Sequence, residues 1–309
     1  HDTPTATVQA NMPLFPGLLD RVNDVSKVEL LSPDGKLTIS AADGGGWKLD
    51  EKGGYPVAPQ QVRDLVLALA NLQLVEAKTA DPKLLKRLEL EEPGADGAKS
   101  RSIELDDRSG APLAAAVVGK PKPGLYGGGR GGVYVRRAGD AQAWLAAGEI
   151  ELPTDALSLL DHEVIDVPLD QVASVTLQAA GAAPVRLQRP DAQAKTFTTD
   201  TALPDGRALD AGKVEQLAGS LASLTMEDVQ PAAALTLPAD VAKARFETFD
   251  GIAVDVTVAR LGDGDTAENW LEFAVAATAP AAGSSASESA ASRAAALSAR
   301  TQGWAFKTA

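Results

Sequence analysis

The chain has 309 residues, 45% hydrophobic but only 4% aromatic, enough for two domains of ordinary size whose cores are built from Leu, Val and Ala. Its 42 acidic against 29 basic residues give a formal charge of −13, a surface that argues against nucleic-acid partners and against direct lipid-surface binding. There is no cysteine, which excludes disulfides, thiolate metal sites and cysteine nucleophiles and fits a bacterial extracytoplasmic protein.

No run approaches the ~18 apolar residues of a membrane span. No signal peptide is visible, and an N-terminal anchor or signal preceding His1 is expected. Residues 1–19 read as an arm, with Met12-Pro13-Leu14-Phe15-Pro16-Gly17-Leu18-Leu19 as an apolar patch that docks on the first domain. A β-meander follows. Val25–Leu31 is a strand, Ser32-Pro33-Asp34-Gly35-Lys36 a turn, and Leu37–Ser40 the returning strand. Asp43–Gly46 turns into a third strand, Trp47-Lys48-Leu49.

Tyr55–Thr79 is the plainest element. Pro59 suits a first helical turn, and Val62, Leu65, Val66, Leu69 and Leu72 form one apolar stripe. Pro82–Leu88 reads as a short second helix, Ser102–Asp106 as a strand, Asp107–Gly110 as a turn and Leu113–Val118 as a buried strand. Lys120–Gly132, rich in Gly and Pro, reads as a loop. Val133–Arg137 and Ala141–Ala146 make a hairpin, and Thr154–Leu160 a short helix capped by Thr154.

The order then repeats. Val172–Leu177, Val185–Leu187 and Thr196–Thr198 echo the first three strands. Asp210 is an N-cap for a helix whose Val214, Leu217, Leu221 and Leu224 match Val62, Leu65, Leu69 and Leu72 at a constant offset of 152. Ala244–Phe249, Ile252–Val258, Leu271–Val275 and Gly303–Lys307 supply further strands. Residues 279–302, rich in Ala and Ser, read either as a linker or as a helix entered through a Ser285–Glu288 capping box. The expected fold is α+β: a tandem duplication of a module made of a curved antiparallel β-sheet with one amphipathic helix on one face. The modules span 20–165, with hairpin 133–146, and 166–309, with the insertion 279–302.

Chemistry is sparse. Gly127-Gly128-Gly129-Arg130-Gly131-Gly132 matches G-x-G-x-x-G, but a strand rather than a helix follows, so no helix N-terminus meets a phosphate. Asp161-His162-Glu163 holds the only internal His; a hydrolase built on it is a minor reading beside a surface position. Asp263, Asp265 and Glu268 lack the spacing of a Ca²⁺ loop. No catalytic, cofactor-binding or metal residues are assigned, and no cofactor is expected. The one local basic and aromatic cluster, Tyr126, Arg130, Tyr134, Arg136 and Arg137, is the candidate partner-binding loop, with a solvated hairpin as the plainer alternative.

Leu14-Phe15-Pro16-Gly17-Leu18 before Val25-x-x-Val28, then Trp47, Tyr55-Pro56-Val57, Val75–Thr79, Val118-Gly119-Lys120, Val133–Arg136 and Ala143-Trp144-Leu145 occur in an order that resembles the bacterial family known as domain of unknown function 4340. The resemblance covers most of residues 14–260. It implies a membrane-anchored extracytoplasmic protein, of a kind often encoded beside ABC-transporter components of the gliding-motility type, and supplies no catalytic residue. The insertion at 279–302 departs from the family's usual pattern. The expected function is therefore a non-enzymatic accessory or scaffold subunit of an ABC-transporter-like complex on the periplasmic face of the inner membrane, with components of that complex as partners. The alternative is a periplasmic glycan- or peptide-binding module using the groove between the two repeats.

Overall fold

A computed structural model describes residues 11–125, 130–203, 205–285 and 289–309, Arg130 by its backbone alone. The fold is α+β, with mostly antiparallel sheets and few helices. The chain divides into two compact units, His1–Leu160 and Asp161–Ala309.

In the first unit the elements run β1 (Val25–Ser32), β2 (Gly35–Ala41), β3 (Trp47–Leu49), β4 (Tyr55–Val57), α1 (Pro59–Ala70), β5 (Gln73–Ala77), α2 (Pro82–Leu85), β6 (Arg101–Asp107), β7 (Pro112–Leu125), β8 (Arg130–Arg137) and β9 (Trp144–Ala147). The strands form one nine-stranded sheet in the order β4-β3-β2-β1-β6-β7-β8-β9-β5. Every pairing is antiparallel.

α1 starts as its sequence dictates: Ala58 is extended and Pro59 occupies the first turn, where its missing N–H leaves nothing unpaired. It ends at Asn71, whose side-chain Nδ2 donates to Leu67 O at 2.9 Å. Leu72, spaced as the next stripe residue, lies past this end and is fully buried.

This helix connects the two margins of the sheet, β4 and β5. Nine strands leave eight gaps, about 38 Å if the sheet were flat with strands about 4.8 Å apart. The 12 residues of α1 advance about 18 Å, and flanking Ala58, Asn71 and Leu72 add at most about 10 Å. The sheet therefore curls around the helix. Registers place Leu49, Ile39, Val28, Leu105 and Ala114 in one cross-strand row, and Leu37, Leu30, Ile103 and Ala116 in the next. These residues are buried, as are Val62, Leu65, Val66 and Leu69 of α1, so helix and concave face cover one another.

The opposite face is covered at its far side. Leu85 of α2, Leu88 and Leu90 pack on Val117, Tyr134 and Ala143. The arm adds to the β5 margin: Asn11 N donates to Leu74 O, Leu74 N to Met12 O and Leu14 N to Leu72 O, each at 2.8 Å, and Leu14 is fully buried. Two expectations are corrected. Much of Lys120–Gly132 is strand, since β7 runs to Leu125 and β8 begins at Arg130. The glycines there serve close approach: a Cβ on Gly132 would lie 2.8 Å from Ala146 O. Thr154–Leu160 forms only a 3₁₀ turn at Leu157–Leu159, because Asp155, not Thr154, accepts from Ser158 N (2.9 Å).

The second unit contains β10 (Glu163–Ile165), β11 (Val172–Gln178), β12 (Val185–Gln188), α3 (Ala211–Ala218), β13 (Leu224–Thr225), β14 (Asp228–Pro231), β15 (Ala242–Thr248), β16 (Ile252–Leu261), β17 (Glu268–Ala277), α4 (Ala290–Thr301) and β18 (Trp304–Thr308). β10 pairs with β13; the others form an antiparallel sheet ordered β12-β11-β15-β16-β17-β18-β14. In the first unit β2-β1-β6-β7-β8-β9-β5 runs through strands of the same rank, and both β1 and β11 shift register at their second residue.

Asp210 caps α3, its Oδ1 accepting from Lys213 N at 3.1 Å. Of the expected stripe, Leu221 and Leu224 lie beyond the helix end. Thr196–Thr198 is not a full strand but a single bridge from Thr198 to Gln188. Arg189 fixes this region, with its guanidinium 5.1 Å from the ring centroids of both Phe197 and Phe249 and donating to the carbonyls of Val172, Leu169 and Ala194. Burial lowers its pKa.

The Ala/Ser-rich insertion forms α4, which lies against β16 and β17 through Ala290 and Ala294. Its N-cap is Ser289, and Glu288 of the expected capping box lies outside the described residues. Arg293 ties it down through Asp250 (2.9 Å) and Gln171 (2.5 Å).

Candidate functional site

In the first unit the segment entering β1, the β2–β3 turn and the β6–β7 turn meet at one end of the sheet, since Val25 pairs with Asp107 and Ala41 with Trp47. They enclose an open concavity of about 640 Å³, lined among others by Arg21, Asn23, Asp24, Trp47, Asp107 and Arg108. The turn at Gly45 and Gly46 needs φ of 90° and 83°, which glycine alone adopts easily, and it bends back through Ala42 N donating to Gly46 O.

Several of the polar groups here are committed. Arg21 Nε donates to Asp24 at 2.9 Å and Nη2 reaches Asp107 at 3.7 Å. Asp107 Oδ1 accepts from Ser109 Oγ (2.6 Å), Ser109 N (2.8 Å) and Ala111 N (3.1 Å). These bonds, the Ser109 hydroxyl first, hold the Asp107 carboxyl below the usual range. Three others are uncommitted. Among the described residues the Asn23 amide, the Arg108 guanidinium and the half-buried Trp47 indole N–H have no hydrogen-bond or ion-pair partner.

Beside this site, on the outer face of β1 and β6, acids crowd. Glu29 stands directly across from Glu104, and Asp106 is 7% exposed with Oδ1 lacking any donor. Lys27 Nζ bridges Glu29 (3.3 Å) and Asp106 (3.4 Å), and Lys36 reaches Glu29 at 2.8 Å. Desolvation, then Asp106 and Glu29, raise the Glu104 pKa. Burial pushes Glu29 up, but Lys36 and Lys27 outweigh it and the net direction is down. Among the described residues no group of three or more His, Asp or Glu side chains is arranged to hold a metal ion.

A family model described as Domain of unknown function (DUF4340) matches residues 47–282. The chain belongs to this family. No curated protein and no solved structure matches it. Among the described residues no helix is long and apolar enough to cross a membrane.

In this member of the domain of unknown function 4340 family, three residues of the cluster expected to bind a partner have described side chains: Tyr134, Arg136 and Arg137. Tyr126 lies outside the described residues, as does the side chain of Arg130. Tyr134 packs on the cluster of Leu85, Leu90, Val117 and Ala143, with Lys120 Nζ 6.0 Å from its ring centroid. Arg136 is 4% exposed and points inward, its Nε donating to Leu90 O (2.7 Å) and Nη2 to Glu92 (3.0 Å). Arg137 lies on the other face and donates to Leu14 O at 2.9 Å, pinning the arm. These two guanidiniums hold the chain's own backbone.

Of the acids singled out elsewhere, Asp161, Glu163 and Glu268 are engaged. Arg300 of α4 pairs with Asp161 at 2.7 Å and donates to the carbonyl of Glu163. His162 is exposed and does not line the 640 Å³ concavity. Glu268 takes Lys307 at 2.8 Å and Trp270 Nε1 at 3.1 Å.

Sequence reasoning placed Trp47 on a strand and Asp107–Gly110 in a turn without connecting them. The signal was the meander itself, which brings alternate turns to one sheet end.

Proposed function

We propose that the protein is a non-enzymatic extracytoplasmic accessory or scaffold subunit of an ABC-transporter-like membrane complex, held at the membrane by an N-terminal anchor. The observation that carries the reading is family membership over residues 47–282, because the resemblance implies anchored proteins encoded beside such transporters. Engagement of Asp161, Glu163 and Glu268 in ion pairs is consistent with a binding rather than a catalytic role. We also take the two units as tandem duplicates. The shared strand order and the offset of 152 between the helix stripes support that view.

The test is capture of the full-length protein from membranes in mild detergent through a C-terminal tag. Co-purification of an ABC permease or ATPase, identified by mass spectrometry, is the expected result; recovery of the protein without either overturns the proposal. A second reading, a glycan- or peptide-binding module, is favoured by the concavity beside Trp47.

A further inference from the structure

The geometry points to a saccharide-binding site in the concavity at Asn23, Trp47 and Arg108. The inference deepens the binding-module reading by naming the site and the ligand class, and it stands independently of the transporter proposal.

Charge comes first. The lining holds two cations, Arg21 and Arg108, against two anions, Asp24 and Asp107, and so sums to zero on a protein of charge −13. Only Arg108 is an uncompensated cation there among the described residues, too little for a nucleotide or polyphosphate with two aspartates alongside. The shape argues next. About 640 Å³ lies within the usual span of small-molecule sites, about 300–1,000 Å³. The concavity is open, and its apolar lining is confined to Val25, Ala41, Ala42 and Trp47, with no deep slot for the anchor side chain of a peptide.

The uncommitted groups then select the ligand. Asn23 offers an amide that both donates and accepts, Arg108 a planar fork of donors, and Trp47 an indole with a free N–H. A pyranose ring presents vicinal hydroxyls that suit the fork and the amide, and an apolar C–H face that suits an indole. The neighbouring groups are already held in place. The Arg21–Asp24 pair and the bonds from Ser109 and Ala111 to Asp107 fix the two turns that carry Asn23 and Arg108. The site is therefore largely ordered before binding, which lessens the entropy lost on complex formation. The free guanidinium further favours a sugar carrying a carboxylate, which it can grip with two parallel hydrogen bonds.

Calorimetric titration of the intact protein with cellohexaose, chitohexaose and oligogalacturonate provides the test. Saturable binding of at least one of these is expected, tightest for oligogalacturonate. Trp47→Ala weakens it by about tenfold or more, as loss of one stacked face implies. Arg108→Gln removes the preference for the acidic sugar. Arg108 is exposed and has no hydrogen-bond or ion-pair partner among the described residues, so this variant retains the fold even if Trp47→Ala does not. Absence of binding by all three sugars at 10-millimolar order, or binding unchanged in both variants, overturns the proposal. Either failure leaves the membrane-capture result untouched, so the two ideas fail separately.

Discussion

On the outer face of the first sheet, Glu29 lies across from Glu104, with Asp106 two positions on and one of its oxygens without a donor. Counting from the aligned rows, Val28 and Leu105 in one sheet and Val175 and Phe246 in the other, the same place in the second sheet holds Thr176 across from Arg245. There Arg245 takes both oxygens of Asp255, at 2.9 and 2.7 Å, and Glu247 is met by Ser174 and Arg186. One strand order thus carries a strained acidic row in one unit and a neutralised one in the other. The helices differ as well. α1 buries Val62, Leu65, Val66, Leu69 and Ala70, whereas α3 buries Ala218 alone within its length and the second unit gains α4. Both sheets share buried apolar rows, while the polar rows beside them carry different charges.

The largest expected effect tests the helices. Leu69→Ala removes a fully buried side chain and should destabilise the first unit by about 2–5 kcal/mol in urea denaturation. Leu217→Ala, a half-buried leucine on the corresponding stripe of α3, should cost about 1 kcal/mol or less. Equal losses would break the comparison.

Next is a glycine. A Cβ on Gly119 would collide with Leu88 O and the Leu90 side chain, so Gly119→Ala should cost about 1–3 kcal/mol through overpacking. The matching position in the second sheet already holds a buried alanine, Ala259, and Ala259→Gly should cost about 0.5–1 kcal/mol. If Gly119→Ala proves neutral, the cover over that face is looser than its contacts indicate.

The acidic row is sharpened by pH. Glu104 has a raised pKa in the folded state. Its contribution is therefore present below the ordinary carboxylate value, about 4.3, and is lost as pH rises through the folded value. Glu104→Gln mimics the protonated form, offers Asp106 Oδ1 a permanent donor, and relieves a cross-strand repulsion worth about 0.2–1 kcal/mol. The variant should lack this loss of stability on raising pH above about 4 and should melt above the wild type at neutral pH. Parallel pH profiles for the variant and the wild type would refute this account of the acidic row.

The smallest effect is expected at the neutralised row. Arg245→Gln breaks a well-formed but exposed pair and should cost about 0.2–1 kcal/mol, less in high salt.

The strands and α1 were legible because apolar alternation and a helical stripe are local signals that the buried rows reward. Asp210 as a cap was legible for the same reason. The inward course of Arg136 was not. It lies on the face opposite Val135, and only the segment around Leu85 and Leu90, about 50 residues earlier, makes that face interior. The stretch 120–132 misled through composition, since Gly and Pro signal turns whereas Gly131 and Gly132 here admit neighbouring side chains and backbone. The concavity was illegible because Asn23, Trp47 and Arg108 are brought together by turns, whose meeting depends on strand register.

α1 is also a clasp in time. β5, which follows it directly, has its strand partner in β9, 70 residues later when counted from Ala77 to Ala147. At a synthesis rate of about 5–20 residues per second, about 4–14 s separate the emergence of helix and partner. Through that interval the stripe of α1 has no finished sheet to lie on. The β5 margin of the first sheet is therefore paired only once β9 has been made.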